Sequence, residues 1–137
     1  MKAVKCPGVI SSFFTYTYYP SWHEIDIEFL GNNTNIVQFN HYTEGKGGHE
    51  YFYNLGFDAS KDYHEYGFNW TENEIIYYVD GRAVYRTVTE IPYHPSRIMM
   101  NLWNVHDDKQ EWAGKFDDTK LPLHSSYKWI GFQAENA

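Results

Sequence analysis

The chain has 137 residues, enough for one domain with a single core and too few for two. A formal net charge of −7 argues against a nucleic-acid partner, whose phosphates call for a basic stripe, and no apolar run reaches membrane-spanning length. One cysteine, Cys6, leaves no intrachain disulfide framework, and the seven histidines lack the close spacing of a metal site.

Two-residue alternation recurs along the chain, whereas helical spacing of apolar residues is rare. Val9–Thr17 ("VISSFFTYT") is β-branched and aromatic, bounded by Pro7-Gly8 and Pro20, and reads as the first strand. Trp22–Leu30 follows, closed by the turn-rich "GNNTN"; Ile36–Tyr42 alternates cleanly until "EGKGG" breaks it. Glu50–Leu55 and His64–Trp70 read as further strands. Glu74–Val79 and Arg82–Thr87 flank Asp80-Gly81, the strongest hairpin signal present. Ile98–Asn104 and Ser126–Phe132 are the last predicted strands, separated by the loop-like acidic stretch "VHDDKQEW". About nine strands with short turns predict an all-β fold, an antiparallel β-sandwich of the jelly-roll, concanavalin-like kind, in one domain.

The second strand, "WHEIDIEFLG", carries the chemistry. Residues two apart share a strand face, so Glu24, Asp26 and Glu28 point one way while Ile25, Ile27 and Phe29 point into the core. Two facing carboxylates are the requirement of glycoside hydrolysis, and retaining enzymes hold them about 5–5.5 Å apart. Positions i and i+4 lie about 13 Å apart at Cα, from the strand rise, a gap that inward-leaning glutamates and strand curvature can narrow. Crowded carboxylates cannot all ionise cheaply, so one keeps a proton near neutral pH, as a general acid must. By the same alternation Gln38, Asn40 and Tyr42 share a face, as do Met99, Asn101 and Trp103. Aromatic residues are 20% of the chain, and rings among polar groups suit sugars, which need both stacking platforms and hydroxyl partners. Each residue also has a plainer use: Asn40 and Asn101 in satisfying backbone groups, Trp103 and Phe14 in packing. Trp112 reads as a loop anchor.

"HEIDIEFLG" resembles the active-site signature of glycoside hydrolase family 16. "GVISSFFTYT", "VQFNHYTEGKGGHE", "NLGFDASKDYHEYGFNW", "YYVDGRAVYR", "PSRIMMNLWN" and "EWAGKFDD" resemble, in that order, its lichenase (β-1,3-1,4-glucanase) branch. The uninterrupted E-x-D-x-E pattern is similar to lichenases and xyloglucan transferases, whereas laminarinases usually carry one more residue. The resemblance implies an endo-acting, retaining hydrolase of mixed-linkage β-glucan, with a xyloglucan- or β-1,3-glucan-active enzyme or a non-catalytic glucan-binding fragment as alternatives. Carried over by position, it makes Glu24 the nucleophile, Asp26 the assisting acid and Glu28 the general acid/base. It makes Trp22, Phe14, Gln38, Asn40, Tyr42, Glu50, Asn101 and Trp103 substrate-binding residues.

The sequence also departs from that pattern. The family's strands and cleft residues that precede this segment have no counterpart here, so the sandwich is expected to be incomplete on its N-terminal side. Sheet edges would then be exposed, and a homodimer covering them is expected. His23 stands where lichenases usually have an acid. No cofactor is expected: where the family's calcium site uses an Asp, this chain has Lys128. The implied polymeric substrate cannot cross a membrane, so an extracellular location is expected, although the N-terminus shows no basic-then-apolar signal pattern.

Overall fold

A computed structural model describes residues 1–134. Eight strands form: β1 (Val9–Thr17), β2 (His23–Leu30), β3 (Ile36–Tyr42), β4 (Tyr51–Asn54), β5 (Tyr66–Trp70), β6 (Ile75–Val79), β7 (Arg82–Thr87) and β8 (Arg97–Asn104). A five-stranded antiparallel sheet of order β4-β3-β2-β1-β8 lies over a three-stranded one of order β5-β6-β7. The fold is the expected antiparallel β-sandwich.

Alternation explains how the layers meet. Ile25, Ile27 and Phe29 of β2 and Val37 and Phe39 of β3 are completely buried against Ile75 and Tyr77 of β6. Burying each such side chain contributes about 1.5–3 kcal/mol. Aromatic rings extend the contact: Phe39 stacks on Tyr77 at 4.4 Å, and Tyr51 on Tyr85 at 3.9 Å. The Tyr77 hydroxyl donates to the Asn40 carbonyl at 2.8 Å, so the buried phenol is satisfied. The β6–β7 hairpin turns where expected, with Asp80 and Gly81 at φ of 48° and 74°, the left-handed pair that such a turn demands.

Two expectations are corrected. Ser126–Phe132 is not a strand: only Ser126 pairs, in an isolated bridge to Lys2. Strand-forming residue types do not make a strand where the backbone joins no ladder, and Trp129 and Phe132 stay exposed. The stretch "VHDDKQEW" is not simply loop. It holds a 3₁₀ turn (Asp107–Lys109) and then α1 (Gln110–Ala113). Val105 and Ala113 bury with Ile10 and Leu30, fastening this segment across one end of the large sheet.

The small sheet does not cover the whole of the large one. Beneath β1 and β8 a groove of about 1560 Å³ opens between the layers, lined by Phe13, Phe68, Ile98 and Trp129 among others. Every residue of β8 is exposed, and among the described residues its outer edge pairs with nothing.

Candidate active site

Strand register builds the site in rows across the face of the large sheet that turns away from β5–β7. Partners directly opposite in antiparallel strands point to the same side. One row runs Arg97–Tyr16–Glu24–Tyr42, the next Met99–Phe14–Asp26–Asn40, and the third Asn101–Ser12–Glu28–Gln38–Phe52. Trp103 lies opposite Ile10 at the end of the face closed by α1. The three acidic residues therefore share a surface with residues from β1, β3, β4 and β8. The large groove lies on the opposite face and is a separate feature.

Each carboxyl has its own surroundings. The Trp22 indole N–H donates to Glu24 Oε2 at 2.6 Å, and the indole stacks on Tyr42 at 4.5 Å, which fixes the donor. Asp26 is 4% exposed, in a row with the Phe14 ring. Burial first, then the charges of Glu28 and Glu24 and a hydrogen bond to Glu24, raise its carboxyl well above the usual range. Asp26 is thus a buried neighbour of Glu24 whose carboxyl resists ionisation. Glu28 is half-buried, and its carboxyl is pushed up to about 7 by desolvation and by the charge of Glu24. A hydrogen bond from Gln38 Nε2 to Glu28 Oε2, at 2.8 Å, pulls the other way. Crowded carboxyls on a single face, two of them raised by burial and by their neighbours' charge, are the setting in which acid and base roles can be divided.

The structure brings most of the candidate binding residues to this face, with unequal access. Asn101 and Trp103 are exposed, and the Ser12 hydroxyl donates to the Asn101 side-chain oxygen Oδ1. Tyr42 is half-buried, and Glu50, just before β4, is exposed and near enough to raise Glu28 further. Phe14 is 8% exposed, so its ring mainly packs beside Asp26. Asn40 is buried with its side-chain oxygen accepting from the His41 N–H at 2.9 Å. Gln38 is buried as well, and its amide oxygen accepts from the Trp112 indole at 2.8 Å. Sequence reading missed this link, along with Ser12 and Tyr16, whose alternation with Phe14 on β1 was the available signal. The Lys128 ammonium sits 4.3 Å from the Tyr63 ring, with Lys2 at 5.5 Å from the same ring.

Comparison with known proteins places the chain in a family. Residues 1–124 match the family described as "Glycosyl hydrolases family 16". A beta-glucanase of Acetivibrio thermocellus is 53% identical over 96% of this chain and 40% of its own length, and one of Bacillus amyloliquefaciens is 47% identical over 97% and 56%. The solved Bacillus licheniformis beta-glucanase superposes with a TM-score of 0.86 at 50% identity, covering 89% of this chain and 57% of that one. A β-1,3-1,4-glucanase (lichenase) from a mouse hindgut metagenome gives a TM-score of 0.86 at 52% identity, over 90% and 58%. The chain thus spans about half the length of the relatives it matches. With the acidic face, the sandwich and the match over residues 1–124 in agreement, the chain belongs to glycoside hydrolase family 16.

Proposed function

We propose that this chain carries the catalytic face of an endo-acting, retaining β-1,3-1,4-glucanase. The observation that carries the reading is the placement of Glu24, Asp26 and Glu28 on one sheet face, with Asp26 and Glu28 raised by burial and by neighbouring charge. Glu24 attacks the anomeric carbon while Glu28 gives its proton to the departing glycosidic oxygen. A covalent glycosyl-enzyme results. Forming that ester neutralises Glu24, and with it the charge that helped to raise Glu28. The Glu28 carboxyl then becomes more acidic, which suits its second task of taking a proton from water as the ester is cleaved. Asp26, buried between the two with a raised carboxyl, is the assisting acid. Trp103 offers a ring to a sugar face, and Asn101, Tyr42 and Glu50 offer polar groups to hydroxyls. The chemistry calls for no cofactor.

Substrate ranking tests this reading. Reducing-sugar release is expected in the order barley β-glucan, then xyloglucan and laminarin, with Glu24→Gln inactive on all three. Equal release by wild type and Glu24→Gln would remove the enzyme reading and leave a glucan-binding module. A polymer of this size is met outside the cell, where the protein would act; no helix among the described residues is long and apolar enough to cross a membrane.

The same proposal extends to self-association through β8. That strand carries one charge, Arg97, and no proline, so little prevents its free edge from pairing with a second copy. Light scattering should give the molar mass of two chains; a monomer that unfolds in one cooperative step would contradict the pairing.

A further inference from the structure

The best-defined hydrogen-bond chain on the acidic face begins outside it, on α1. Trp112 Nε1 donates to Gln38 Oε1 at 2.8 Å, and Gln38 Nε2 donates to Glu28 Oε2 at 2.8 Å. Gln38 is 3% exposed, so water does not compete freely for either end of its amide. An amide can be turned over with little change of shape, and its orientation is decided by its neighbours. Here the neighbour decides it. An indole N–H is a donor only, so it admits the amide oxygen and rejects the amide nitrogen. With Trp112 in place, Gln38 must present N–H to Glu28. Turned over, it would set an oxygen against the carboxylate and a nitrogen against the indole, losing both bonds.

The donor itself is held. The carbonyl of Trp112 accepts from Asn32 at 3.4 Å, and Ala113 packs in a buried cluster with Ile10 and Leu30. Gly8 clamps the segment at both ends, its N–H donating to the Ala113 carbonyl at 2.7 Å and its carbonyl accepting from Val105 at 2.8 Å. A Cβ at Gly8 would meet the Phe116 backbone at 2.3 Å, so the close approach requires glycine there.

We propose that Trp112 is a positioning residue for the acid/base, which orients Gln38 so that Glu28 Oε2 is permanently occupied as an acceptor and the transferable proton resides on Oε1. The inference rests on Glu28 being the acid/base. It turns Gln38 from a sugar contact into part of the proton-delivery machinery and gives a residue 84 positions away from Glu28 a part in it. The Gln38 bond favours the ionised form, so losing it raises Glu28 further.

The test reads the Glu28 carboxyl directly, by ¹³C NMR titration of the full chain labelled at glutamate Cδ, with Glu28→Gln identifying the signal. Trp112→Phe keeps a ring on the Ile10–Leu30 surface and deletes the N–H. It should raise the Glu28 midpoint by roughly half a pH unit or more. Gln38→Met should raise it similarly, and the double variant no further than Gln38→Met alone. Where the chain turns over glucan, the basic limb of the kcat/KM profile should move up in step, with kcat falling more than KM rises. An unchanged midpoint in folded Trp112→Phe, or additive shifts in the double variant, would overturn the proposal. If Trp112→Phe does not fold, Gln38→Met with the indole intact decides the same point: an unmoved midpoint overturns it. A shifted midpoint in a chain without glucanase activity would uphold the link while removing the function it serves.

Discussion

Glu24→Ala is expected to lower kcat on barley β-glucan by at least about 10³-fold, equivalent to roughly 4 kcal/mol of lost transition-state stabilisation. The variant removes the atom that bonds to the anomeric carbon, and no second carboxylate can take its place. Glu28 is committed to proton transfer, and Asp26 is 4% exposed with its carboxyl raised above the usual range by burial. The loss should therefore not depend on the leaving group. Glu28→Gln should differ in this respect, sparing substrates whose leaving group departs without protonation, such as aryl glycosides of acidic phenols. Glu24→Ala should also move Glu28 itself. The charge of Glu24 is the second-largest cause of the raised Glu28 carboxyl, so the Glu28 midpoint should fall below about 7 in the variant. Retained activity in Glu24→Ala, or an unmoved Glu28, would show that the two side chains do not face one reacting centre.

Glu28→Gln is expected to stabilise the fold while it damages catalysis. Folding raises the Glu28 carboxyl from 4.5 to about 7, so the folded state holds a proton that the unfolded state releases. Below pH 4.5 both states are protonated and the substitution is close to neutral. Between 4.5 and 7 the unfolded carboxyl ionises first, and the wild type loses stability as pH rises; above 7 the deficit is complete. At 1.36 kcal/mol per unit the deficit is at most about 3 kcal/mol, and solvent access to the half-buried group reduces it to about 2. For a domain of this length that corresponds to a melting temperature higher by roughly 6–10 °C at pH 8. The gain should vanish at pH 4. A glutamine side chain can still accept from Gln38, so no new unsatisfied group offsets the gain. Equal melting curves at pH 8 would mean that Glu28 lies in water rather than against its acidic neighbours.

How much of this was legible in the sequence follows from which forces are local. The face shared by Glu24, Asp26 and Glu28 was legible because a strand has a period of two and the intervening Ile25, Ile27 and Phe29 can only be core. The β6–β7 turn was legible because Asp80-Gly81 meets the backbone requirement of that turn by itself. Pairing is not local, and there the reading failed. Ser126–Phe132 is rich in strand-forming residue types, yet beyond the Ser126 bridge to Lys2 it joins no ladder. The burial of Gln38 and Asn40 was equally hidden. Both sit on the polar side of β3, as alternation requires, but their amides are already engaged by Trp112 and Glu28 and by His41. Trp112 lies 74 residues from Gln38, on a four-residue helix too short to leave a periodic signal. Only the closure of α1 over Ile10 and Leu30 brings the two together.

The central claim is that alternate side chains of β2 place a nucleophile and its proton partner around one glycosidic bond. Its most direct test is covalent trapping: incubation with a 2,4-dinitrophenyl 2-deoxy-2-fluoro-β-glucoside carrying a 3-O-β-glucosyl unit, whose dinitrophenolate departs as the ester forms, then intact-mass and peptide mass spectrometry. The account predicts one added glycosyl unit per chain, located on Glu24 and absent from Glu24→Gln. No label, or a label on Asp26, Glu28 or any residue outside β2, would contradict it.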